Sequence, residues 1–75
     1  MKFTERPVPK PYTLACFHYY TASGSMVGAV WQEEEGPWKA YCCVGAFGSL
    51  GDNYKDKDEA YAALERLALS LDART

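Results

Sequence analysis

The side chains best suited to chemistry in this chain are Cys16, His18, Cys42 and Cys43. Sulfur and imidazole could together hold a zinc ion, and a cysteine beside a histidine could act as a nucleophile with its base. Spacing argues against both. Structural zinc takes four ligands, often from Cys-x₂₋₄-Cys pairs, whereas Cys42 and Cys43 are adjacent and so point to opposite faces of a strand. A Cys–His nucleophile needs a cleft and an oxyanion hole, and a small sheet with one helix offers little concavity. The cysteines are therefore expected to behave as small buried hydrophobes, and His18 as a packed or surface residue. No catalytic residue, metal site or cofactor is assigned, and the chain is not expected to be an enzyme.

Two further motifs carry weaker chemistry. The stretch Gly45-Ala46-Phe47-Gly48-Ser49-Leu50-Gly51 is rich in glycine but matches neither the dinucleotide fingerprint nor a phosphate-binding P-loop, and it lacks the Lys-Ser/Thr ending of the latter. It reads as a flexible loop. Glu33-Glu34-Glu35 is an unbroken acidic run at a turn. It serves as a solvated, aggregation-resistant tip or as a negative prong that docks on a basic surface.

The elements that must position these residues follow from periodicity. Met1 to Pro11 carries Pro7, Pro9 and Pro11 at alternate positions, which makes 1–11 an extended arm or at best an edge strand. Residues 12–75 are expected to form a single β-β-β-α domain. Its strands are Tyr12–Tyr20, Met26–Gln32 and Trp38–Phe47, joined by turns at Thr21–Ser25 and Glu33–Pro37. Connections of about five residues favour an antiparallel meander. Gly48–Lys55 has the composition of a loop. A helix begins after Asp56, where Asp56 and Glu59 resemble a capping box, and it buries Ala60, Tyr61, Leu64, Leu67, Ala68 and Leu71 along one stripe. The expected fold class is α+β, a three-stranded antiparallel sheet with one C-terminal helix on one face.

All three strands are apolar on both faces, and one helix shields only one of them. The open face must therefore meet something else. Grouping alternate residues separates a small aliphatic set (Leu14, Cys16, Met26, Gly28, Val30, Ala40, Cys42, Val44, Ala46) from an aromatic and polar set (Thr13, Phe17, Tyr19, Val27, Trp31, Glu33, Lys39, Tyr41, Phe47). The first set suits a helix of leucine and alanine, with His18 and Trp38 on its side. The second has the composition of an interface. Partner contact is assigned to Phe17, Tyr19, Trp31 and Tyr41, steered by Glu33, Glu34 and Glu35. The bland alternative is that these rings pack on one another or under the arm.

Composition limits the partner. The 75-residue chain, with two tryptophans, six tyrosines and three phenylalanines, is expected to be a folded domain. Eight basic and ten acidic side chains leave a net charge of −2, which argues against direct nucleic-acid binding because Lys and Arg supply most non-specific affinity for phosphates. Three cysteines, an odd number, with no signal-peptide pattern point to free thiols in a reducing, cytoplasmic setting. No apolar run approaches the roughly 20 residues that span a bilayer, so no membrane association is expected. The leading partner is another protein. The alternatives are a second copy of the chain, or single-stranded nucleic acid stacked on the aromatic face.

The short chain, the acidic turn at Glu33-Glu34-Glu35, the aromatic sheet around Trp31 and Tyr41 and the terminal helix from Asp56 together resemble the small inhibitors encoded by bacteriophages, of which anti-CRISPR proteins are an example. The resemblance is one of size and style and transfers no residues. It implies a non-catalytic protein that binds a host defence complex stoichiometrically, blocking DNA recognition or nuclease recruitment.

Overall fold

Short turns between β-forming segments leave antiparallel neighbours as the simplest path for the chain. The computed structural model, which describes residues 2–44 and 48–72, follows that path in an α+β fold. Five strands lie side by side in chain order: β1 (Thr4–Pro7), β2 (Ala15–Tyr20), β3 (Met26–Gln32), β4 (Trp38–Cys42) and β5 (Ser49–Tyr54). The helix α1 spans Lys57–Asp72. The antiparallel meander and the C-terminal helix match expectation. The strand number does not, since five replace the three expected. Gly45, Ala46 and Phe47, the expected end of the third strand, lie outside the described residues.

Both extra strands are edges. Proline cannot donate to a ladder, but an edge strand tolerates it because one side stays unpaired. Thr4 pairs with Tyr20 and Pro7 with Phe17, and the Val8 amide donates to the Cys16 carbonyl at 2.9 Å. The leader therefore widens the sheet beside β2. At the other edge, β5 contains Gly51, Asp52 and Asn53, yet it pairs with β4 through a shifted register. A bulged edge strand carrying a charge resists further strand addition. β2 itself begins at Ala15, because residues before it close a turn in which the Thr13 hydroxyl donates to the Lys10 carbonyl at 2.7 Å.

The Asp56 carboxylate accepts the Glu59 amide at 2.8 Å, the capping bond expected of that pair. Ala60, Leu64 and Ala68 form the buried stripe of α1, with Tyr61, Leu67 and Leu71 packed beside them. The helix lies across β3, β4 and β5. Gly28 lets it come close: a Cβ there would fall on the Tyr41 carbonyl oxygen and within 2.7 Å of Leu64 Cδ1.

The register settles the faces and overturns part of the sequence grouping. Phe17 stands opposite Val30 and Tyr19 opposite Gly28, while Val30 faces Ala40 and Gly28 faces Cys42. Because paired residues share a face, Phe17 and Tyr19 join the small aliphatic set beneath the helix. Tyr19 is 0% exposed. The physical reason is volume: glycine and alanine on the sheet, and alanine on the helix, leave room that only large rings fill. Tyr19 packs against Tyr61 in a tilted pair with ring centres 4.7 Å apart, and Phe17 stacks on Trp38 at 6.4 Å. Trp38 is thus on the helix side as expected, whereas Cys16 and His18 lie on the open one. A bulge between Tyr19 and Tyr20 pairs Tyr20 with Met26, which turns Val27 into the core and Met26 outward, reversing both assignments.

Polar bonds tie β1 to the helix. The Tyr19 hydroxyl donates to Glu5 at 2.7 Å, and Lys57 Nζ sits 2.7 Å from the same oxygen and 3.8 Å from the centre of the Phe17 ring. Burial alone would raise the Glu5 carboxyl. Hydrogen bonds from Lys57 and Tyr19, with the Lys57 charge, outweigh it and hold the group below its usual range. The amides of Lys2 and Phe3 donate to the Tyr61 hydroxyl, which itself donates to Glu65.

Two outcomes follow from this packing. Gly28→Ala should destabilise the domain by about 1–3 kcal/mol, read as a lower melting temperature, because the obstructing carbonyl belongs to the neighbouring strand. An unchanged melt would contradict the close approach. A carboxyl with a lowered folded pKa stabilises fully above its unfolded value, here 4.5, and loses that contribution as pH falls through the folded value. Melting temperature should therefore decline below pH 4.5, and Glu5→Gln should flatten part of that decline. An identical profile in the variant would remove Glu5 from the account.

Candidate interaction surface on the open sheet face

The open face is ordered by the same register. Across it, Cys16, Trp31 and Lys39 form one row and His18, Ala29 and Tyr41 the next. Ala29 is therefore the low point, with His18 and Tyr41 on the flanking strands and Trp31 and Met26 along its own. These residues, with Cys16 and Lys10, enclose a shallow hollow of about 320 Å³. Tyr41 is 41% exposed, whereas Ala29, at 7%, is the floor.

Trp31 is held in place. Its indole Nε1 donates to Glu33 at 3.2 Å, and the other Glu33 oxygen lies 3.3 Å from Lys39 Nζ. The indole hydrogen bond, then the Lys39 bond and charge, keep the Glu33 carboxyl below its usual range. Glu34 and Glu35 follow at the exposed tip. Arg6 lies on the same side as His18 and caps the Tyr20 ring at 5.5 Å. Both aromatic pairs among the described residues are on the helix side, so Trp31 and Tyr41 stand without a ring partner.

Of the residues assigned to partner contact, the structure brings Trp31, Tyr41 and Glu33 together on the open face. Glu34 and Glu35 sit at its margin. Phe17 and Tyr19 belong to the opposite side and do not contribute. Sequence reasoning placed Cys16, His18 and Met26 under the helix, gave Ala29 to neither face, and left Lys10 and Tyr12 out of the contact residues. Tyr12 is 96% exposed with φ of 65°, a left-handed conformation that costs a side-chain-bearing residue about 1–2 kcal/mol. With Lys10, Trp31 and Glu33 it borders a second hollow. Strain of this kind gathers at functional positions. No sequence signal announces it, although proline on both sides of Lys10 marks an unusual turn.

The sulfur and imidazole groups do not converge. Cys42 faces the helix, and Cys16 and His18 face away from it. Among the described residues no group of three or more His, Cys, Asp or Glu is placed to hold a metal ion. Burial raises the Cys16 thiol above its usual range, opposed only by Lys10, so it remains protonated at neutral pH. Among the described residues no helix is long and apolar enough to cross a membrane. Compared with models of known protein families, with curated proteins and with solved structures, the chain finds no match.

Tyr12→Gly should leave stability unchanged or raise it by up to about 1 kcal/mol, since glycine adopts positive φ without strain and the ring packs on little. A loss beyond about 1 kcal/mol in denaturant titration would show that the ring is a structural contact.

Proposed function

We propose that this chain is a non-catalytic binding module that docks another protein on its open sheet face. The observation that carries the reading is the pair of rings, Trp31 and Tyr41, that flank a hollow and, among the described residues, pair with no other aromatic ring, one of them fixed by Glu33. Such rings bury large apolar area at small entropic cost, and tryptophan and tyrosine dominate measured interface hot spots. Glu33, Glu34 and Glu35 steer the encounter with a basic surface and set its orientation. This acidic tip beside exposed aromatic rings further suits stoichiometric inhibition in the manner of small bacteriophage proteins. In that reading the target is a host defence complex whose nucleic-acid channel supplies the basic surface.

Affinity capture from the native host, followed by calorimetry with the protein recovered, tests the proposal. Trp31→Ala should weaken binding about thirtyfold or more, equivalent to about 2 kcal/mol, while the helical dichroism and melt stay close to the parent. Tyr19→Ala should instead unfold or strongly destabilise the domain, by about 3–5 kcal/mol. Full affinity in Trp31→Ala, or its unfolding, would refute the docking face.

A further inference from the structure

We infer that the hollow floored by Ala29 receives one large apolar or aromatic side chain of a protein partner, flanked on that partner by a carboxylate that meets Lys10 and a cation that meets the acidic turn Glu33-Glu34-Glu35. The inference rests on the protein-docking reading and adds the chemistry of the occupant.

Shape comes first. Ala29 is small between four larger neighbours, so the surface dips where a partner's side chain can insert. About 320 Å³ is roughly twice the ~150 Å³ cavity that accommodates a benzene ring, which suits an indole, phenyl or long aliphatic group. Trp31, Met26 and Cys16 give the walls apolar and polarisable surface. A buried anchor ringed by less critical contacts is the usual arrangement of a hot spot.

Charge selects the kind of partner. Lys10 lines the hollow and, among the described residues, forms no ion pair. Glu33, which does not line this hollow but holds Trp31 and pairs with Lys39, borders the neighbouring hollow beside Tyr12 together with Lys10. The rim is thus positive at Lys10 and, beyond Trp31, runs into the acidic turn Glu33-Glu34-Glu35, where Lys39 offsets Glu33. A polynucleotide carries one sign of charge: its phosphates would meet Lys10 and Arg6 but be repelled by the glutamate run. A polypeptide segment presents both signs around an apolar residue. A second copy with its twofold axis at Ala29 would set the hollow against its own image and leave it empty. A displaced axis, which would seat a ring of each copy in the other's hollow, is tested by the mass in solution.

Panning a random-peptide display library on the whole chain, followed by affinity measurements of the recovered peptides on the parent and on Ala29→Leu, tests the inference. Leucine fills the hollow from the solvent side, away from the helix, and an unchanged melt checks that the fold persists. Ala29→Val serves if leucine lowers it. The recovered peptides are expected to share one tryptophan, phenylalanine or leucine with an acidic residue on one side and a basic one on the other. Their affinity for Ala29→Leu should fall about tenfold or more. Lys10→Glu should weaken them severalfold, with recovery when the peptide's acidic residue is changed to lysine. Peptides that bind the parent and Ala29→Leu equally overturn the inference. If they still depend on Trp31, only the hollow is lost and the docking face stands; if they ignore Trp31 and Tyr41, both fall. A dimeric mass by light scattering that Ala29→Leu abolishes would assign the hollow to a second copy. Tight binding of oligothymidine there, in place of any peptide, would assign it to nucleic acid. Either result overturns the inference.

Discussion

Leu64 rests on the backbone of β3 at Gly28, and that contact determines which side of the sheet is inside. A sixteen-residue helix is roughly 24 Å long but only about 10 Å across, while five strands at about 4.8 Å spacing span close to 20 Å. One such helix can roof one face only if it sits low and large side chains fill the space around it. Gly28 and Ala40 let it sit low, and Phe17, Tyr19 and Trp38 fill the space. The opposite face, with Trp31 and Tyr41, has no covering element among the described residues. Its exposure follows from the close seat of the helix on the other side.

The same crowding accounts for the N-terminal segment. With Tyr19 committed to the core, its hydroxyl needs a partner, and Glu5 supplies one from β1. Lys57, at the first turn of α1, neutralises Glu5 and covers the Phe17 ring. The leader is thereby fixed at the sheet edge, where its prolines do no harm. Its continuation brings Lys10 and Tyr12 to the rim of the open face. A core requirement and a surface feature thus share one segment.

Much of this was legible in the residues. Asp56 and Glu59 announced the helix start, the Ala60, Leu64 and Ala68 spacing its buried stripe, and the short turns the meander. Trp31, Glu33, Lys39 and Tyr41 could be placed on one face because β3 and β4 pair in the register that alternation suggests. β2 could not. Its faces differ by aromatic against small residues, and composition alone favoured putting rings outside, whereas packing against Gly28 required them inside. The bulge that reverses Met26 and Val27 is set by how the turn closes, which no local pattern encodes. β1 and β5 were obscured by proline and by Gly51, Asp52 and Asn53, residues that edge strands accept and interior strands do not. Lys10 and Tyr12 reach the open face only through the loop that follows β1, and reading 1–11 as an arm or at best an edge strand left that loop unplaced.

The two faces of the sheet differ: one is sealed by the helix, and the other has no cover among the described residues. Solvent paramagnetic relaxation of assigned side-chain resonances, recorded on the dilute chain with a soluble gadolinium chelate, measures this directly. The Trp31 indole, the Tyr41 ring and the Met26 methyl should relax strongly, while Tyr19, Val30 and Leu64 remain protected. Protection of Trp31 and Tyr41 at dilution, or strong relaxation of Tyr19, would contradict it.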